Sequence, residues 1–123
     1  MNIEEIFKKI LDKSFEVHTA LGPGLLESAY EECLFYELKN SGLKVEKQKA
    51  LPLVCKEVRL DAGYRIDLII ENCIIVEIKS VDALCDIHLA QILTYMKLSP
   101  CKLGLLVNFN VKHLKEGIKR VIL

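Results

Sequence analysis

The sequence predicts an α/β fold, a small mixed central sheet flanked by helices, in one domain over residues 1–123. Three observations carry that expectation. The N-terminal third repeats apolar residues at helical spacing. The middle turns to alternating and then nearly continuous apolar runs bounded by turn residues. A further helical segment then separates two apolar strands, and such a unit implies a right-handed crossover and a parallel pair.

The elements follow in order. Residues 3–21 predict a helix, with Ile3, Ile6, Phe7, Ile10, Leu11, Phe15 and His18 on one stripe. Gly22-Pro23-Gly24 ends it, because proline cannot continue the bonding and glycine permits the turn. A second helix is expected over 25–40, with Leu26, Ala29, Tyr30, Cys33, Leu34 and Leu38 inward. Leu43 to Lys49 alternates as a half-exposed strand does, whereas Leu51 to Leu60 is irregular and Pro52 marks an edge or bend. Tyr64 to Ile70 and Cys73 to Lys79 predict two strands about the turn signal Glu71-Asn72, the second apolar enough to lie centrally. A third helix is expected over 83–98 with Asp82 as N-cap, then a strand from Lys102 to Asn108. The tail from Lys112 to Leu123 fits either a strand or a short helix leading into one.

Composition narrows function. Lys plus Arg and Asp plus Glu number 17 each, so the formal charge is zero, and a strongly basic nucleic-acid scavenger is excluded. With 51% hydrophobic residues and a mean hydropathy of +0.25 the chain is not disordered. No apolar run has a membrane span's length, and the start Met-Asn-Ile-Glu-Glu lacks a signal-peptide layout, so a cytoplasmic protein with no membrane association is expected. The five cysteines, Cys33, Cys55, Cys73, Cys85 and Cys101, are odd in number and form no C-x-x-C, which reads as reduced core thiols. Lys44, Lys47, Lys49, Lys56 and Arg59 cluster locally and read as a solvated strand face.

The chemistry lies where charge interrupts apolar strands. Asp67 sits inside Tyr-Arg-Ile-Asp-Leu-Ile-Ile, and Glu77 and Lys79 end Cys-Ile-Ile-Val-Glu-Ile-Lys. Burying such groups costs several kcal/mol per ion unless they are compensated, and a metal or phosphate would compensate them. Glu77 and Lys79, two apart, share a face. Two adjacent carboxylates with waters suit Mg²⁺, and the lysine would lie within reach of the same ion's substrate. Register decides whether they meet. A two-residue turn at Glu71-Asn72 pairs Asp67 with Val76 and puts the two acids on opposite faces. A three-residue connection, Glu71-Asn72-Cys73, or a bulge would set Asp67 across from Glu77. His88, Gln91 and Tyr95 form a polar stripe on the third helix.

Three motifs together carry a resemblance. Gly24-Leu25-Leu26-Glu27-Ser28-Ala29-Tyr30 resembles the signature of the GxxExxY proteins. Asp67 followed by Glu77-Ile78-Lys79 is similar to the D…(D/E)-x-K motif of the PD-(D/E)xK nuclease superfamily. Gln91-Ile92-Leu93-Thr94-Tyr95 is similar to the Q-x-x-x-Y element of that superfamily's exonuclease branch. The likeness covers about residues 5–123. It departs at Cys55-Lys56-Glu57, where such proteins often have an aromatic-Lys-Gly turn, and at Ile66, where many have proline.

The resemblance implies a restriction-endonuclease-like core and a metal-dependent nuclease hydrolysing phosphodiester bonds. It implies Mg²⁺ or Mn²⁺ on Asp67, Glu77 and the Ile78 carbonyl, with Glu27 completing the shell. Lys79 would activate or position the attacking water, Gln91 would orient the site, and Tyr95 and Tyr30 would contact substrate. Nucleic acid is the expected partner, DNA in preference to RNA. The alternative is a catalytically inactive nucleic-acid-binding module, or a homodimeric interaction module, to which the apolar tail Val121-Ile122-Leu123 is suited.

Overall fold

The computed structural model describes residues 1–61 and 63–123. Helices α1 (Ile3–Leu21) and α2 (Glu27–Asn40) precede strands β1 (Val45–Ala50), β2 (Leu53–Cys55), β3 (Val58–Leu60), β4 (Arg65–Ile70) and β5 (Ile74–Lys79). Then come α3 (Asp86–Lys97), β6 (Leu103–Asn108), a 3-10 turn (Leu114–Gly117) and β7 (Ile118–Ile122). The mixed α/β class is as expected. The main sheet has the order β1-β4-β5-β6-β7, while β2 and β3 form a separate hairpin. Only the β5–β6 neighbours run parallel, joined by the α3 crossover.

The sheet is covered on both faces, which is why β6 is buried along its whole length and β5 up to Ile78. On one face α1 and α2 enclose Ile10, Leu34, Leu38, Leu68, Ile70, Ile74, Val76 and Val107. On the other α3 packs Ile92, Tyr95 and Met96 against Ile69, Ile75 and Leu106. Gly104 permits that approach, since a Cβ there would lie 3.0 Å from both Ile92 Cδ1 and Met96 Sδ.

Several boundaries differ from the sequence reading. Asn2 caps α1 through Oδ1, which accepts from Glu5 N–H at 2.9 Å, and Gly22 ends it at φ +68°. The buried stripe is Ile6, Phe7, Ile10, Ser14, Val17 and His18, so Ile3 and Phe15, expected inward, lie largely exposed. Leu26 is the N-cap residue of α2 and is 78% exposed, although its spacing had placed it inside. Helix α3 begins at Asp86 after Cys85, not after Asp82. Cys85 is extended, at φ −135° and ψ 174°, and its N–H donates to His88 Nδ1, so the cap forms three residues later than expected. Ser80 and Val81, just before it, are tied to Glu27, Leu25 and Asn108. The tail resolves as the short turn followed by an edge strand. The five thiols are free, but Cys55 and Cys85 are exposed rather than in the core, because one ends the β2 hairpin strand and the other precedes α3.

Candidate active site

The β4–β5 connection decides the site. Ile70 pairs with Ile74, Ile69 with Ile75 and Leu68 with Val76, so three residues connect the strands and one further step sets Asp67 opposite Glu77. Glu71 and Asn72 adopt left-handed φ of 51° and 53°, the conformation such a loop demands. Both acids therefore share a face.

Beyond Leu68 and Val76 the acids replace the backbone ladder. Asp67 N–H donates to Glu77 Oε2, and Ile78 N–H donates to Asp67 Oδ2, both at 2.8 Å. Each carboxylate thus spends one oxygen holding the other's strand. Burial, with the charge of Asp67 added, pushes the Glu77 carboxyl up to about 8. Asp67 is also held above the usual carboxylate range by burial, against the opposing Ile78 N–H bond and the Lys79 charge.

Lys79 lies on the same side, two residues past Glu77. Its Nζ donates to Gln91 Oε1 at 2.9 Å, and Gln91 Nε2 donates to the Tyr95 hydroxyl at 3.1 Å. Helix α3 thereby holds the ammonium through an amide whose orientation is fixed by a buried phenol. Burial raises the Tyr95 hydroxyl, and the Glu77 charge adds to it. A shallow groove lined by Lys79, His88, Gln91 and Thr94 opens this side to solvent. His88, on the same stripe, instead accepts the Cys85 N–H at Nδ1 and caps α3.

Glu27 reaches the end of β5, where Oε2 accepts Ser80 N–H at 3.1 Å. Among the described residues no three His, Cys, Asp or Glu side chains gather as a metal shell, while the Glu27 charge reaches Asp67 and adds to the raising of its carboxyl. Tyr30 is fully buried, stacked on Phe109 at 4.6 Å, with its hydroxyl donating to Gly22 O at 2.6 Å and accepting Leu25 N–H at 3.1 Å. The expected substrate contact at Tyr30 is therefore corrected: the phenol has no surface to offer and instead pins the turn that carries Glu27. Tyr95 is likewise buried, its ring in the α3 core and only its hydroxyl engaged toward the site. Tyr30→Phe is expected to cost about 1–2 kcal/mol, the loss of a buried bonded hydroxyl, measurable by urea denaturation.

Two residues beside the acids carried no chemistry in the sequence reading. Glu31, one helical turn after Glu27, is buried, and burial raises its carboxyl against the opposing Gln48 bond. Gln48 Nε2 donates to Glu31 Oε1 at 2.6 Å and to Asp67 Oδ1 at 3.3 Å. Gln48 takes a left-handed φ of 52° in mid-strand, the kind of backbone strain that collects at functional positions. The i, i+4 spacing from Glu27 could have flagged Glu31, whereas nothing local marks Gln48.

The chain thus carries an Asp…Glu-x-Lys set on adjacent strands of a mixed sheet with helices on both faces. A family model for the PD-(D/E)XK nuclease superfamily matches residues 4–121. The chain belongs to that superfamily, and its function is of the nuclease type, with nucleic acid as the substrate class. No curated protein and no solved structure matches it. No helix among the described residues is long and apolar enough to cross a membrane.

Proposed function

We propose that this chain is a metal-dependent phosphodiesterase acting on nucleic acid, most readily DNA, in the cytoplasm, and that its site is Asp67, Glu77, Lys79 and Gln91. The narrower likeness of residues 24–30 to the GxxExxY proteins is part of this reading. The observation that carries it is the Asp67–Glu77 juxtaposition: two carboxyls opposed across neighbouring strands, each raised by burial, beside an amine that a helix holds in place. A structural ion-pair cluster would place a cation between the acids. Here each acid instead accepts a backbone N–H, and the second oxygen of Asp67 faces the neutral Gln48 amide, at 3.3 Å.

The donors suit a hard cation that keeps most of its water, Mg²⁺ or Mn²⁺, which needs only one or two carboxylates. Asp67 and Glu77 would hold it, joined by the Ile78 carbonyl, which alternation directs to the same side as the Ile78 N–H. When bound, the ion would lower the pKa of a coordinated water and offset charge on the phosphate. Lys79, with one N–H spent on Gln91, keeps two to orient a water or a phosphate oxygen. Glu27 would complete the shell from α2, with Oε2 also accepting Ser80 N–H at the β5 exit.

The test is a thermal melt with and without Mn²⁺ beside cleavage assays on single- and double-stranded DNA and on RNA. A rise in Tm with Mn²⁺, reflecting about 2.7 kcal/mol of added stability when the ion is at 100 times its Kd, is expected in the parent and not in Asp67→Asn, together with cleavage lost in the variant. Binding without cleavage in both proteins would replace this reading with an inactive binding module.

A further inference from the structure

On the α1 side of the strand exits lies a second groove lined by Phe15, His18, Thr19, Lys112, His113 and Lys115. None of its lining residues is acidic. In a chain of zero net charge this is a local imbalance. The basic cluster that the sequence suggested, by contrast, is largely neutralised: Lys47 pairs with Glu32, Lys49 with Glu46 and Arg59 with Asp61. Among the described residues neither Lys112 nor Lys115 has an ion-pair partner.

The loop carrying these lysines is fixed to the catalytic strand. Lys79 and Asn108 are register partners at the ends of the parallel strands, so the segments after β5 and β6 emerge side by side. The buried Asn108 amide ties them together: Oδ1 accepts Val81 N–H and Asn110 N–H, both at 3.1 Å, and Nδ2 donates to Val81 O at 3.0 Å. Asn110 Nδ2 adds a bond to the same carbonyl at 3.3 Å. His18 Nε2 binds the Val111 carbonyl at 2.7 Å, anchoring the loop to α1. A side chain at Gly117 would collide with the Asn108 carbonyl oxygen, which holds the far end of the loop close. The groove's other wall, Gly22-Pro23, is the start of the turn that Tyr30 pins and that leads to Glu27.

We infer that this groove binds the phosphate backbone of a nucleic-acid strand as it runs from the cleavage site, with Lys112 and Lys115 as its charge contacts. The inference rests on the nuclease reading and adds the course of the substrate. Salt-dependent affinity is the signature of such contacts, since each neutralised phosphate releases condensed counterions.

The experiment measures binding of labelled 20-nucleotide single-stranded and duplex DNA to the full chain in EDTA at several salt concentrations, and steady-state cleavage with Mn²⁺. Lys112→Gln/Lys115→Gln is expected to weaken binding on the order of tenfold or more near ~0.1 M salt. It should also reduce the log–log salt slope by about 1.4 for single strands or about 1.8 for duplex. KM should rise with kcat unchanged, and Lys112→Arg/Lys115→Arg should keep both affinity and slope. If the double glutamine variant does not fold, each single variant should reduce the slope by about 0.7 for single strands or about 0.9 for duplex. A parent that binds and cleaves, with a glutamine variant that binds identically or an arginine variant that loses as much as glutamine, overturns the groove alone. A parent that neither binds nor cleaves overturns the nuclease reading and the groove with it.

Discussion

Glu77→Gln is expected to abolish cleavage and stabilise the protein at pH 8, two effects of opposite sign from one atom. Loss of a catalytic carboxylate of this kind costs on the order of 10²–10⁴ in rate. The stability effect follows from proton linkage. The folded chain raises the Glu77 carboxyl from 4.5 to about 8, so between those values the folded state holds a proton that the unfolded state has released. The stabilisation is complete below pH 4.5 and is lost as pH rises to about 8. Each tenfold displacement of the proton equilibrium is worth about 1.4 kcal/mol, so this window carries on the order of a few kcal/mol. Glutamine keeps an oxygen to accept Asp67 N–H and removes the charge facing Asp67. In EDTA its Tm should vary less than the parent's across that window and exceed it at pH 8. Urea melts at pH 5 and pH 8 decide the matter, and equal pH dependence in the two proteins would refute the linkage.

The second large effect belongs to Lys79→Met, which removes the ammonium and keeps the aliphatic stem. Cleavage should fall by about 10²–10⁴, because the group that orients water or phosphate is gone. Stability should fall as well, by about 2 kcal/mol at pH 8, since Asp67 and Glu77 lose a cation that favours their ionised forms. The same loss raises both carboxyls further, so the decline of stability with pH should steepen, the reverse of Glu77→Gln. Lys79→Arg should restore much of the stability and little of the rate, because a planar guanidinium does not reproduce the single Nζ bond to Gln91. Cleavage unchanged in the methionine variant would remove Lys79 from the mechanism.

The pair of variants separates a site from scaffolding. At a merely structural cluster, removing either an acid or the amine would weaken the fold. Here removing Glu77's charge should strengthen it, since desolvation and a like-charged neighbour are what raise its carboxyl. Stability given up at the residues that perform chemistry is the usual compromise of an active site.

Much of this was legible from residue order. Helical spacing marked α1, the apolar runs marked β5 and β6, and charge inside those runs singled out Asp67, Glu77 and Lys79. Spacing along one strand is local geometry, so the shared face of Glu77 and Lys79 follows from the sequence alone. The meeting of Asp67 with Glu77 does not, because the sequence allowed a two- or a three-residue connection and each put Asp67 on a different face. The left-handed backbone of Glu71 and Asn72 belongs to the three-residue loop, a choice that pairing of the strands enforces. Gln48 is the extreme case: its spacing says solvated strand, and only the arrival of Glu31 from α2 and Asp67 from β4 gives its amide two partners. Tyr30 shows the converse, a motif residue that reads as a contact until the packing of Phe109 and the Gly22 carbonyl make it an internal strut. Although it placed Ile3, Phe15 and Leu26 inside and they lie exposed, the periodicity of one chain thus marked most of the elements and the centre of their buried stripes. Their assembly decided which polar groups meet, because a long-range hydrogen bond needs two segments brought together that have no local record of one another.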